Sequence, residues 1–336
     1  MVAGSMVVCT SGIYEGVPYR LTYTSLGAIG GYGKPRCAQL NLPVDTALSP
    51  SFLSILLRGE DLRPKSFSWK VSVNTINVTR EFKPQILVES EGLTYASQTF
   101  DVTQIVREPG KYTLRLSAET SRVVEILSVS LVGLTPVPGV RVNMSYYSGV
   151  LTLSNGESYS FKHPAEGLEL GFESVVEVPS KTAELAVGCG GERVFTQLVG
   201  LNELVLKKTP ASPDGCCRLS LRRSDSTRPL VVGDVLIYRS LTPSPHIHTE
   251  ASMVDGKEVL LQIRNGGGPL VGKVVVVVLC EGRVVAKSGV SDLRPGHVEE
   301  LRLRTSEDLS GKEAYIRVIY NDVWGQDMKT LKLRTV

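Results

Sequence analysis

Tyr112-Thr113-Leu114-Arg115-Leu116 places Tyr112, Leu114 and Leu116 on one side of an extended chain and Thr113 and Arg115 on the other. Side chains alternate with a period of two along a β-strand, so this stretch turns one face to a core and one to water. The same alternation runs through Phe67-Ser68-Trp69-Lys70-Val71-Ser72-Val73 and Val259-Leu260-Leu261-Gln262-Ile263. It recurs in Leu301-Arg302-Leu303-Arg304 and Leu331-Lys332-Leu333-Arg334. Helical periodicity is nearly absent, and the apolar runs are bounded by Gly, Pro, Asn, Asp and Ser. Short strands punctuated by turn residues predict an all-β chain of antiparallel sandwiches.

A length of 336 residues is enough for two or three domains, each with its own core. Two stiff segments divide the chain: Leu134-Thr135-Pro136-Val137-Pro138-Gly139 and Leu241-Thr242-Pro243-Ser244-Pro245. Each reads L-T-P-x-P, and proline neither donates to a central ladder nor bends freely in a linker. The expected division is therefore 1–137, 138–244 and 245–336. The first two regions share a layout that suggests an internal repeat. Pro50 leads into the apolar stretch ending at Gly59, as Pro179 leads into that ending at Gly188. Lys111 to Leu116 matches Cys217 to Leu221 ahead of the last strand, and Gln98 to Thr103 matches Val194 to Leu198 more loosely. The first copy carries an insert at about 62–90 that holds Trp69 and Asn77.

Phe100-Asp101-Val102-Thr103-Gln104-Ile105-Val106-Arg107-Glu108-Pro109-Gly110-Lys111-Tyr112-Thr113-Leu114 resembles the D-V-T strand lead-in of galactose-binding-like jelly rolls and related carbohydrate-binding sandwiches. The resemblance implies a jelly-roll fold for the first region and, through the repeat, for the second, which lacks the D-V-T motif. Asp101 and Thr103 are expected to bond the turn backbone, and Gly110 to supply a positive φ. The last ninety or so residues resemble an immunoglobulin-like adhesion module of the CARDB kind. The matching pieces are Leu260 to Gly268, Val284-Val285-Ala286 and Leu293-Arg294-Pro295-Gly296. Modules of that kind bind proteins or space other domains, so the resemblance implies no chemistry of its own.

Thirty-seven basic residues against 34 acidic give a net charge of +3, too balanced for a nucleic-acid surface. The uncharged run between Glu125 and Arg141, as long as any in the chain, contains Pro136 and Pro138 and is too short to span a bilayer. Met1 to Cys9 lacks the basic and apolar regions of an export signal, so such a signal is missing or already removed. The chain is expected to be soluble, without membrane insertion. Of the cysteines at 9, 37, 189, 216, 217 and 280, no pair has C-x2-C spacing. Cys9 could meet Cys37, and Cys189 could meet Cys216 or Cys217, while Cys280 ends an apolar run as a buried small hydrophobe. All thiols free is the alternative. Disulfides would lean the address toward the cell surface or outside.

Candidate chemistry is sparse. Gly27-Ala28-Ile29-Gly30-Gly31-Tyr32-Gly33-Lys34-Pro35 departs from a phosphate loop at Ala28 and Pro35, and reads as a β-loop with Tyr32 at its tip. His246, His248 and Glu250 alternate, so an extended strand would put three metal-ligand types on one face. The other histidines, His163 and His297, read as loop positions away from any nucleophile motif. Tyr19, Tyr23 and Tyr32 are the candidate sugar-stacking rings, set against a role as core or cross-strand residues. Tyr146-Tyr147, Trp69 and Trp324 face the same choice. Asn77-Val78-Thr79 and Asn143-Met144-Ser145 are glycosylation sequons, at a number that chance alone supplies. The arginines of Leu219 to Arg223 and Leu301 to Arg304 read as solvated, edge-protecting faces.

These features predict a non-enzymatic structural or adhesive β-sandwich protein, with protein partners or self-assembly and no cofactor. A carbohydrate-binding protein is the alternative, with glycans as partners, and a metal-dependent or glycoside-cleaving enzyme is the third reading.

Overall fold

The structure, a computed structural model, describes residues 2–63, 68–79 and 86–333. Phe67 and Arg334, at the ends of two alternating stretches quoted above, lie outside the described residues, as does a portion of the 62–90 insert. The described residues contain no helix and build six sheets, so the chain is all-β with sandwich-like layers. It divides into two compact units. One holds Met1–Tyr14, Pro18–Pro136 and Val142–Ser240; the other holds Glu15–Val17, Val137–Arg141 and Leu241–Val336. The first L-T-P-x-P segment is therefore not a boundary between independent bodies.

In the first unit, the Gly110–Glu119 strand shows how the alternation becomes structure. Tyr112, Leu114, Leu116 and Ala118 are buried, while Thr113, Arg115 and Ser117 face outward. It pairs with Cys37–Val44 on one side and Ser68–Val73 on the other, and Ile76–Asn77 completes that four-stranded sheet. The facing sheet runs Val17–Thr24, Val124–Thr135, Ser51–Gly59, Leu93–Asp101, Ile86–Ser90, with Ala28–Ile29 added to Val124–Thr135. Leu42, Leu53, Ile55, Leu57, Val71, Leu114 and Leu131 are among the side chains filling the space between the two sheets.

The D-V-T turn behaves as expected. Asp101 Oδ1 accepts from the Thr103 N–H at 2.9 Å, and Thr103 Oγ1 accepts from the Ser51 N–H at 3.0 Å. Gly110 differs: it is absent from the positive-φ glycines and simply opens its strand. Its added Cβ would meet nothing closer than Tyr112 at 3.8 Å, so the site tolerates other residues.

The second core of this unit repeats the first strand for strand. Its larger sheet reads Arg141–Leu153, Leu230–Ser240, Leu170–Val178, Gly200–Thr209. That order matches Val17–Thr24, Val124–Thr135, Ser51–Gly59, Leu93–Asp101. Its smaller sheet, Ser158–Lys162, Cys216–Arg223, Glu184–Gly188, Glu192–Phe195, matches Cys37–Val44, Gly110–Glu119, Ser68–Val73, Ile76–Asn77. The repeat is therefore real at the level of topology, but its alignment differs from the sequence reading. Ser51–Gly59 corresponds to Leu170–Val178, not to the proline-led Glu184–Gly188. Leu93–Asp101 corresponds to Gly200–Thr209, and the 62–90 stretch is not an insert, since Ser68–Val73 and Ile76–Asn77 within it are the counterparts of Glu184–Gly188 and Glu192–Phe195. The matches of Lys111–Leu116 with Cys217–Leu221 and of the two last strands hold.

Ala3–Glu15 breaks the expected division at 137, because it pairs beside Arg141–Leu153 as the outer strand of the second core's larger sheet. The same placement separates Cys9 from Cys37, which starts a strand of the first core's smaller sheet, and both thiols are free. The second expected pairing is present: Cys189 and Cys217 form a disulfide, both buried in the second core. Cys216 points off the opposite face of its strand and stays free. Cys280 is buried, as expected.

The second unit pairs Ile247–Asp255, Glu258–Asn265 and Val298–Arg304 in one sheet. Arg283–Leu293, Val271–Cys280, Ala314–Asp322 and Gly325–Leu333 form the other. Val274, Val276, Val278, Ile316 and Val318 contribute to the core between them. Two of the quoted turns bond each other: the Gly296 N–H donates to the Asn265 carbonyl at 2.6 Å, and Asn265 N–H to the His297 carbonyl at 3.1 Å. The buried Asn265 side chain donates to the carbonyls of Pro269 (2.9 Å) and Leu293 (3.2 Å), which fixes the Asn-Gly turn.

Candidate functional site

The two larger sheets of the first unit face each other, so their strands are buried on both sides. Ser51–Gly59, Val124–Thr135 and Leu230–Ser240 are almost wholly buried along their length. Such strands read as continuous apolar runs interrupted by small polar residues, and here the small residues form the contact. Ser54 bonds Ser148 at 2.9 Å and Thr99 bonds both, while within the second core's own sheet the Ser174 hydroxyl donates to the Asp234 carbonyl at 2.8 Å. An apolar patch of Leu56, Val88, Tyr95, Leu127, Val150 and Val231 shares the interface. Phe52 and Tyr146 stack at 5.9 Å between ring centres.

Ion pairs from each core cross this seam. Arg20, on Val17–Thr24, reaches Asp234 at 2.5 Å and Glu203 at 3.4 Å, with the Arg20 and Asp234 side chains almost inaccessible. Burial on its own lowers the Arg20 pKa, but Asp234 and Glu173 together raise it above its ordinary value. Arg20 Nη1 and the Tyr146 hydroxyl are buried there without a hydrogen-bond partner among the described residues. Burial also pushes the neighbouring Cys9 thiol up to about 11, against its contacts with Ser148 and Thr99.

At the edge of the seam, Arg58 binds Glu125 through Nε (3.1 Å) and Nη2 (2.5 Å) and Glu177 through Nη1. Glu177 Oε2 is buried with no hydrogen-bond partner among the described residues. These groups line an open cleft of about 510 Å³ with Lys34, Leu127 and Leu201. A single guanidinium holds both carboxylates, so the cluster ties the two cores together across the cleft wall. No reading of the sequence singled it out, because Arg58, Glu125 and Glu177 are far apart in the chain and only strand order gathers them.

The sugar-stacking tyrosines do not form one surface. Tyr19 and Tyr23 pack against the first core, with their hydroxyls donating to the carbonyls of Pro43 (3.5 Å) and Asn41 (3.2 Å). Tyr32 alone is fully exposed, at the tip of the glycine-rich loop. That loop is pinned at its base: the Gly31 N–H donates to the Thr120 carbonyl at 3.0 Å, and a Cβ at Gly30 would lie 2.6 Å from Thr120 Cγ2. Tyr146, Trp69 and Trp324 are buried, and Tyr147 sits edge-on to Phe161.

The metal trio does not gather as expected. His248 and Glu250 leave the same face of Ile247–Asp255 and line a recess of about 290 Å³ with Gln262, Arg264 and Val298. His246 precedes that strand and is not in the lining. Among the described residues, no three His, Cys, Asp or Glu side chains converge to hold an ion. His163, expected in an exposed loop, is buried, with its ring nitrogens 2.8 Å from the Pro164 carbonyl and 3.2 Å from that of Ser212. His297 is exposed beside Glu299.

The remaining candidate is a surface that the sequence reading passed over. Ala3–Glu15 is an outer strand of thirteen residues, AGSMVVCTSGIYE, whose sole charge is Glu15. Val7, Val8 and Ile13 are exposed along it by 53, 50 and 46%. Outer strands are ordinarily blunted by charge, proline or bulges, since their free N–H and C=O groups template another strand. The uncharged run from Met1 to Tyr14 was the available signal. It goes unnoticed when only interior alternation is sought.

Fold and surfaces together define a multi-domain β-sandwich protein. No protein-family model and no curated protein matches the chain. Among solved structures it is similar to β-glucuronidase from Ruminococcus gnavus, in its complex with D-glucaro 1,5-lactone, at 15% identity and a TM-score of 0.22. The match covers 57% of this chain and 36% of the other, and a second crystal structure of the same enzyme gives the same figures. The chain thus spans about a third of the length of the enzyme it matches.

Proposed function

We propose that the chain is a non-catalytic building block of a protein assembly outside the cytosol, and that copies of it associate by pairing their Ala3–Glu15 strands. The observation carrying this reading is the long, uncharged, exposed outer strand. Antiparallel pairing of the strand with itself about Cys9 sets Glu15 opposite Ala3 and Val7 opposite Ser11. No like charges then meet, and the backbone groups that face outward, on about every other residue of the strand, gain partners on each copy. A closed two-fold contact of this kind uses both edges up and stops at a dimer.

The buried Cys189–Cys217 disulfide supports an oxidising setting. The D-V-T turn and the bonded Asn265 and Gly296 turns support kinship with galactose-binding-like and CARDB-like modules, respectively. Sedimentation velocity across micromolar concentrations tests the proposal. A dimer is expected for the unaltered chain, and a monomer with an unchanged β circular-dichroism spectrum for Val8→Lys. A monomer at every concentration for the unaltered chain would overturn it.

Tyr32 favours one second reading, glycan binding. A ring fully exposed on a pinned loop is positioned to stack on a sugar face. Retention on a glycan array that is lost in Tyr32→Ala supports that reading, and no retention by the unaltered chain removes it.

A further inference from the structure

We infer that Asn77 accepts an N-linked glycan and that the second sequon, at Asn143, does not. The two motifs are equivalent as sequence, Asn77-Val78-Thr79 and Asn143-Met144-Ser145. The fold makes them opposites.

Asn77 ends the two-residue strand Ile76–Asn77, an outer strand of its sheet, and its side chain is exposed. Its Oδ1 accepts from the Thr79 N–H at 3.1 Å and from the Thr79 hydroxyl at 2.8 Å. Both bonds stabilise negative charge on Oδ1 as the amide nitrogen gives up a proton, so the sequon hydroxyl is already placed to raise the nucleophilicity of Nδ2. Asn143 lies in Arg141–Leu153, flanked by Ala3–Glu15 and Leu230–Ser240, opposite Arg239. Its sequon hydroxyl, Ser145, is buried and bonded to Ser11 at 2.9 Å. Asn143 itself is half-buried, and its sequon hydroxyl could engage the amide only by leaving that buried contact.

The disulfide supplies the second condition, because oxidising compartments are also those in which exported chains meet lipid-linked sugars. The reaction balances with a polyprenyl-phosphate-linked oligosaccharide as donor. Nδ2 forms the bond to the anomeric carbon, the bond from that carbon to the phosphate oxygen breaks, the lipid phosphate leaves with the electron pair, and the amide proton passes to a base of the transferase.

Glycopeptide mass spectrometry of the protein isolated from the cells that produce it is the test. The Asn77 peptide is expected to carry hexose or N-acetylhexosamine mass increments and the Asn143 peptide none. Asn77→Gln is expected to remove the whole increment, Thr79→Ser to keep it, and Asn143→Gln to leave it unchanged. A bare Asn77 peptide in that protein, or sugar on Asn143, overturns the inference.

Discussion

Arg20 and Asp234 carry opposite charges into a contact where neither side chain reaches water. Removing Asp234 leaves the buried Arg20 guanidinium with only the half-exposed Glu203 at 3.4 Å, a loss of about 3–5 kcal/mol, whereas replacing both Arg20 and Asp234 with apolar groups of similar volume is close to neutral. Asp234→Ala is therefore expected to lower the free energy of unfolding by about 3–5 kcal/mol in guanidinium titrations. Arg20→Met combined with Asp234→Leu is expected to recover most of that loss. Equal destabilisation by the single and double replacements would show that the pair does not act as a unit. Nothing in the residue order announces this pair, since 214 positions separate the two. Asp101 and Thr103 were readable because their hydrogen bonds are made to nearby turn backbone and to the strand that the turn abuts.

Glycine decides how the Ala3–Glu15 strand is held. A Cβ on Gly149 would lie 2.2 Å from the Ser5 carbonyl oxygen and 3.0 Å from Met6 Cα, so only glycine permits the approach of these two strands. Gly149→Val is expected to push the outer strand off its neighbour. Hydrogen-exchange mass spectrometry should then show lost protection across residues 5–12, accompanied by loss of the proposed dimer, while the second unit keeps its protection. Retained protection at residues 5–12 would contradict this account. The alternation in Gly110–Glu119 identified the strand and its inward face directly. The alignment of the repeat was not legible in the same way: Leu170–Val178 has no proline leading it, and Glu184–Gly188 does, so local punctuation pointed to the wrong partner for Ser51–Gly59.

Across the whole molecule, several groups bind their protons more tightly in the folded state than in the unfolded one. Burial pushes Cys9 up to about 11, and burial together with Asp327 pushes Tyr320 up to about 12. Burial also raises Tyr19, Tyr95, Tyr146 and Tyr147. The unfolded chain releases these protons near the ordinary values of 9.0 for a thiol and 10.0 for a phenol. Between those values and the raised ones the folded state holds more protons, so stability is full below about pH 9 and falls as pH rises. Melting temperatures are expected to be level up to about pH 9 and to drop steadily from there to about pH 12. A melting temperature that is flat through about pH 11 would show that these groups are not buried in the folded chain.

The sequence by itself determined that this chain is β throughout, where its turns lie, and that its first 240 or so residues contain one plan used twice. Those properties follow from side-chain periodicity and turn chemistry, which act between near neighbours. Only the tertiary structure decided that the two copies share a polar seam, that Cys189 rather than Cys9 finds a partner, and that the N-terminal strand crosses to the second copy and leaves an edge open. These outcomes depend on which strands become neighbours across long stretches of chain, and a period of two says which way a side chain points without saying what it meets.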